Sequence, residues 1–270
     1  MKIERKSLKL TATISCAVLY AVGCYITSYI VSPWGEGQFR PAVVIPSLFA
    51  VIFGPWPAGV GAALGTFIAD SVNQGGFHIG SLIAAVPGNF LGFYLMGWYL
   101  RKKFTWGRFI TASVLTLIFA NLLVAILYVG VYMNLFLGSL PPYGLGGLTM
   151  FIVGLTIWWF VTMLPFVVLI TPPLIRGAVN AFPYLMDNNV IEATTLGGVP
   201  EEGLVLSLLT PGVIMIIVGV GISYTALGTQ LTGFFGVQAA ELIKLMTFIG
   251  GFVLAALGGI VHLKTRRGSV

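Results

Sequence analysis

Residues 109–137, FITASVLTLIFANLLVAILYVGVYMNLFL, run without one charged side chain. A helix needs roughly 20 apolar residues to cross the hydrocarbon core of a bilayer, and this stretch exceeds that by itself. Comparable runs lie on either side of it. Of the 270 residues, 57% are hydrophobic and only 8% charged, with a mean hydropathy of +0.99. A soluble domain carries about a quarter charged residues, so too few charges remain here to coat a water-facing surface. That excludes a soluble enzyme, a disordered regulator and a nucleic-acid-binding module. The fold class is all-α: a polytopic membrane bundle, because helices satisfy their own backbone in lipid.

Eight spans fit the hydropathy, at 8–31, 40–55, 57–73, 79–100, 109–137, 147–175, 204–227 and 237–263. The second and third are short and meet at Gly54-Pro55-Trp56-Pro57. Proline cannot donate to the helix ladder and turns the preceding residue away from helix. A tight re-entry between two spans is the simplest geometry, with a single kinked helix as the alternative. The basic residues orient the chain. Lys2, Arg5, Lys6 and Lys9 fall at one end, with Arg101, Lys102, Lys103, Arg108, Arg176, Lys264, Arg266 and Arg267, whereas the other end holds only Arg40. Positive-inside topology then places both termini in the cytoplasm, and the net charge of +6 reports orientation rather than a nucleic-acid partner.

The N-terminal apolar stretch, 10–31, is longer than a signal-peptide core and lacks a clear small-residue cleavage site, so it reads as an uncleaved first span. Cys16 and Cys24 lie about 12 Å apart along that helix at 1.5 Å per residue and cannot pair within it. Residues 177–203 differ from the rest: Asp187, Glu192, Glu201 and Glu202 are scattered among Phe182, Tyr184, Leu185 and Val190. They are expected to form a cytoplasmic linker, partly a helix lying in the interface, between a six-span core (1–176) and a two-span hairpin (204–270). Small residues four apart, Gly61 and Gly65, Gly88 and Gly92, Ala255 and Gly259, suit close helix packing.

Polar groups within the apolar runs are costly, and their placement points to function. Arg40, Asp70 and His78 come to the same outer face. Arg40 can pair with Asp70 or Glu36, or bind a ligand carboxylate or phosphate through its planar fork; such pairs are more often structural. Pro87-Gly88-Asn89 breaks the fourth span, and broken helix at that depth is tolerated where it is buried in protein or lines a cavity. Asn89 either lines such a cavity or satisfies the freed backbone. Asn121 in the fifth span and Trp158-Trp159 in the sixth complete the candidates, with interhelical bonding and core packing as their plainer roles. Glu241 and Lys244, three residues apart, neutralise each other. No nucleophile–base pair, phosphate loop or metal-ligand spacing is present, and the two histidines, His78 and His262, fall at opposite ends. Neither a cofactor, a metal nor a catalytic activity is expected.

The stretch Arg40-Pro41-Ala-Val-Val-Ile-Pro46-Ser-Leu-Phe49-Ala-Val-Ile-Phe53-Gly54-Pro55, followed by Gly59, Gly65 and Asp70, resembles the second and third spans of the substrate-binding S components of energy-coupling-factor (ECF) transporters. Ala17-Val-Leu-Tyr-Ala21 in the first span and Pro87-Gly88-Asn89-Phe90-Leu-Gly92 in the fourth are similar to the same group. The resemblance covers about residues 10–176. It implies a multi-pass protein of a prokaryotic cell membrane with an outward-facing pocket for a vitamin, a vitamin precursor or a modified base. It also implies a complex with a transmembrane coupling subunit and ATPase subunits. On that reading Ala17 and Ala21 face the coupling subunit, Asn89, Asn121, Trp158 and Trp159 border the pocket, and Arg40, Asp70 and His78 lie by its mouth. Residues 178–270 depart from the family pattern, which keeps a second expectation open: a non-catalytic structural or accessory subunit of a larger membrane complex.

Overall fold

The computed structural model describes residues 2–32, 36–136, 144–197 and 199–268. Residue 137, the expected end of the fifth span, and the side chains of Lys2, Arg5, Glu202, Lys264, Arg266 and Arg267 lie outside what is described. The described residues are predominantly helical: α1 (Lys2–Thr27), α2 (Val44–Ile52, entered by the 3-10 turn Pro41–Val43), α3 (Pro55–Asn73), α4 (Val86–Lys102), α5 (Trp106–Ala125), α6 (Gly144–Ala181), α7 (Asn188–Leu196), α8 (Glu201–Tyr224), α9 (Ala226–Phe235) and α10 (Val237–Gly268). Among the described residues the only β pairing is an isolated antiparallel bridge between Val31 and Gln38.

Among the described residues, six helical segments are long and apolar enough to cross a membrane: Lys6–Thr27, Ser81–Lys102, Trp106–Phe136, Gly146–Ala181, Gly203–Tyr224 and Ala240–Leu263. The other two expected spans are present as helices of a different kind. With 9 residues, α2 reaches about 14 Å at 1.5 Å per residue, under half the roughly 30 Å hydrocarbon thickness. The 19 residues of α3 are diluted by Gly, Ala, Thr, Ser and Asp. Its small side chains are what seat it deeply. A Cβ on Gly61 would lie 2.5 Å from the Cβ of Cys16, and one on Gly65 would lie 2.7 Å from the carbonyl oxygen of Ala17. Thus α1 and α3 touch backbone to backbone.

The break between α2 and α3 is a true turn and not a kink. Gly54 has φ of +83° and Pro55 opens α3; only glycine adopts that backbone without strain. The Arg101 side chain lies against Gly54, which puts the turn at the basic end of the core.

Two departures from helix regularity were invisible in the hydropathy. Ser81–Ala85 and Ile126–Phe136 are π-helical. The first precedes Pro87, whose ring collides with the carbonyl four residues back; a widened turn relieves that collision. By contrast α6 runs on through Pro165, Pro172 and Pro173 to Ala181, past the expected end at 175; proline's own φ is compatible with helix, and helices in a membrane bundle tolerate proline where their surroundings re-satisfy the freed backbone. The segment read as a linker is therefore helical at both ends. It is held by Trp106 Nε1 donating to the carbonyl of Ala193 at 2.9 Å and by Arg176 donating to that of Gly197 at 3.1 Å. One further helix, α9, fills the connection between the last two spans. Thr225 caps it, accepting from Leu227 N–H at 3.2 Å.

The core forms where α1 to α6 meet, around Tyr20, Phe93, Phe109, Leu155, Leu164 and Val168. Ala17 and Ala21 belong to it. They are 4% and 6% exposed, with the Ala17 carbonyl facing Gly65 of α3, and side chains so buried leave a coupling subunit little to touch. The docking role expected of them is corrected accordingly: small residues suit close approach of any backbone, and here the neighbour is the chain's own α3.

Candidate functional site: a polar cavity at the non-basic end of the core

The carboxyl ends of α1, α3 and α5 and the amino ends of α4 and α6 lie at the end of the bundle away from Arg101, Lys102 and Arg108. Between them is a cavity of about 340 Å³. Its lining includes Arg40, Asp70, His78, Asn89, Asn121 and Trp159, six of the seven residues singled out in the sequence. These come from five separate stretches of chain, brought together by the alternating direction of the helices.

Arg40 enters from the loop before α2. Its guanidinium donates to Asp70 Oδ1 and Thr66 Oγ1 on α3, and to Gln38 Oε1 at 3.0 Å. The other Asp70 oxygen accepts from Ser81 Oγ at 2.6 Å. The pair is only 11% and 9% exposed. A buried ion pair of this kind persists when its remaining polar atoms are also satisfied, and the surrounding hydroxyl and amide groups do this. The guanidinium is thus consumed within the protein. Of the alternatives open for Arg40, the geometry is the one with Asp70; Glu36 instead accepts from the Tyr128 hydroxyl at 2.9 Å.

Of the two roles open to Asn89, it takes a place in the cavity lining, and the carbonyl it bonds is not the one four residues before Pro87. Its amide donates to the carbonyl of Ala85 at 2.8 Å, in the π-helical turn, while its oxygen faces the Tyr20 hydroxyl at 3.5 Å. The Asn121 amide leans on the thioether of Met163 at 3.8 Å, a weak acceptor that leaves most of the amide's hydrogen-bonding capacity for the cavity. Trp159 donates from Nε1 to the carbonyl of Gln38 at 3.0 Å, pinning the loop 36–40 across α6. The imidazole of His78 accepts from Ser81 N–H at 3.4 Å and sits 6.0 Å, ring to ring, from Tyr132.

Trp158 is the exception and is corrected. It is buried in a different, apolar cavity between α6 and the C-terminal helices. Adjacent helical positions point about 100° apart at 3.6 residues per turn, so the two tryptophans cannot serve one space. Sequence reasoning missed Tyr20, Gln38, Ser81 and Tyr128, which also line the polar cavity. Tyr20 carried a signal: a phenol in mid-span seeks a hydrogen-bond partner, and its hydroxyl reaches Asn89 Oδ1. Gln38 acquires its place only through loop geometry, and Ser81 only through its π-helical turn.

Chemically, the lining offers amides, hydroxyls, an indole and two phenols around a neutralised ion pair. Among the described residues no three His, Cys, Asp or Glu side chains stand together as a metal site. Comparison with family models, with characterised proteins and with solved structures finds no match for this chain.

Proposed function

We propose that the chain is the solute-binding subunit of an ECF-type uptake system and that the polar cavity receives a vitamin-like molecule or modified base. The observation that carries this reading is the cavity itself: a polar hollow inside a bundle of apolar helices, where an idle polar group is expensive. Its volume of about 340 Å³ falls at the small end of the roughly 300–1,000 Å³ typical of ligand pockets, which suits a single heterocycle.

The lining also narrows the ligand's charge. The cation among the described lining residues is Arg40, and Asp70 already holds it. A carboxylate or phosphate entering would meet Glu36 and Asp70 without a spare counter-charge, and burying it so is strongly unfavourable. The ligand is therefore a neutral or cationic heterocycle that hydrogen-bonds through Asn89 and Asn121 and stacks on Trp159.

With the basic ends cytoplasmic, the cavity opens outside, both termini lie inside, and α2 and α3 form a re-entrant pair that completes an eight-helix topology in a prokaryotic cell membrane. A coupling subunit and ATPase subunits are the partners this role requires; their contact is made elsewhere than through Ala17 and Ala21.

The test is ligand-induced thermal stabilisation of the purified protein, using a panel of neutral, cationic and anionic vitamins and bases. Some neutral or cationic member raises the melting temperature. Asn89→Leu and Trp159→Ala abolish the shift with expression intact, whereas Trp158→Ala leaves it. A panel with no active member, together with no small molecule released from native protein in mass spectrometry, overturns the proposal.

A second reading has an observation of its own. In an 18-residue apolar stretch of the last span, Ala240–Leu263, only 11% of the residues are buried within the chain, a wide apolar face that suits a neighbouring subunit. An accessory subunit of a larger membrane complex would copurify with large partners lacking ATPase domains.

A further inference from the structure

On the far side of α6 from the polar cavity, a second cavity of about 460 Å³ separates α6 from α8, α9 and α10. Ile157 and Trp158 line it from α6, Met215 and Val218 from α8, and Ile243 from α10. Thr149 and Thr247 are the hydroxyl-bearing residues in an otherwise hydrocarbon wall. A water molecule needs two to four polar partners and finds too few here. The walls contributed by α6, α8 and α10 belong to segments apolar and long enough to cross a membrane.

Beside it lies a polar recess of about 340 Å³, lined by Ser223, Thr225, Thr229, Thr232, Glu241 and Lys244; Ile222 lines both spaces. The four hydroxyls donate to carbonyls of their own helical turns, those of Gly219, Gly221, Ala226 and Gly228, at 2.6 to 2.9 Å. The Thr225 oxygen also accepts from Leu227 N–H, and the oxygens of Ser223, Thr229 and Thr232 keep acceptor capacity in the recess lining. Lys244 Nζ lies 2.7 Å from Glu241 Oε1, with the two side chains 31% and 62% exposed. The recess thus presents one ammonium, one carboxylate and a set of acceptor oxygens, next to a hydrocarbon-lined hollow.

We propose that this paired site holds one phospholipid with a zwitterionic, amine-bearing headgroup. A hydrocarbon chain fills the apolar cavity, the phosphate meets Lys244, and the headgroup ammonium meets Glu241 and the threonine oxygens. Charge complementarity selects this class: an anionic headgroup leaves Glu241 opposed, and a quaternary amine has no N–H for the acceptors. The bound lipid ties the C-terminal hairpin to the core. The inference stands independently of the solute reading.

The full chain, purified in mild detergent, is titrated with phosphatidylethanolamine, phosphatidylcholine and phosphatidylglycerol in native mass spectrometry. One phosphatidylethanolamine is retained at about ten-fold higher affinity than the other two, a difference of one decade in Kd. Glu241→Gln with Lys244→Gln erases the preference, and Ile157→Trp, which fills the cavity, expels the lipid. Should Ile157→Trp fail to fold, brominated-chain phosphatidylethanolamine added to the native protein decides: it quenches tryptophan fluorescence, and Trp158→Phe removes a large part of that quenching. Equal affinity for the three headgroups, or quenching unchanged in Trp158→Phe, overturns the proposal.

Discussion

Removing Asp70 from its pair leaves the Arg40 guanidinium buried without a carboxylate. Breaking such a pair costs about 3–5 kcal/mol, whereas replacing both partners by apolar groups is often neutral. Asp70→Ala is accordingly expected to lower the stability of the purified chain by about 3–5 kcal/mol, and Arg40→Met with Asp70→Leu to recover most of that loss; denaturation of the single and double variants measures both. Additive losses would contradict the pairing. At this scale the sequence was partly legible. Arg40, Asp70 and Asn89 stood out because charge and amide groups are rare in apolar runs, and Asp70 was already among the partners open to Arg40. Trp158 and Trp159 were not separable, because a helix that is apolar all round gives no indication of which face turns toward which neighbour. Tyr128 and Ser81 come into place through π-helical turns, which leave no mark in residue spacing.

Helix–helix contacts in lipid rest on close approach rather than on the hydrophobic effect, and α1 against α3 is the clearest case. Gly61→Leu inserts a side chain where even a Cβ meets Cys16 at 2.5 Å; overpacking of that kind costs about 1–3 kcal/mol. Gly177→Ala, on a stretch of α6 where a Cβ meets nothing within 4 Å, should instead stabilise by about 0.5–1 kcal/mol, since alanine has less backbone freedom to lose. Thermal unfolding of the two variants in one detergent checks the opposite signs. Ala17→Leu with Ala21→Leu belongs with the first: it destabilises the isolated chain with no partner present, where a docking role would leave the isolated chain unaffected. The small-residue spacing that marks these helices was readable; its direction was not, because the same residues serve a partner or a neighbouring helix of the chain equally well. The α2–α3 break was readable for a firmer reason, as Gly54-Pro55 has few other backbone choices. The extension of α6 to Ala181 was not, since the apolar run ends before Arg176 while the helical backbone continues past it.

For the whole molecule, hydropathy alone carries the membrane bundle, because lipid excludes charge wherever the chain crosses it. The acidic residues of 177–203 set that segment apart in the sequence, but α9 and the cavity beside it depend on packing between distant helices. Among the described residues, none after Met163 lines the polar cavity. A chain truncated after Leu196 is therefore expected to keep the solute-induced thermal shift; losing it would mean that the hairpin shapes the cavity.

The central claim is a water-filled hollow opening away from the basic end. Thiol accessibility in intact cells tests it most directly, in a chain with Cys16 and Cys24 replaced by alanine. Asn121→Cys and Val124→Cys, both in the cavity lining, should react with a membrane-impermeant maleimide added outside, because a wetted thiol ionises. Leu115→Cys, on an exposed apolar helix face, should stay silent, because lipid keeps a thiol protonated. Cavity cysteines that react only after the membrane is opened to the cytoplasmic side, or only after denaturation, would contradict the account.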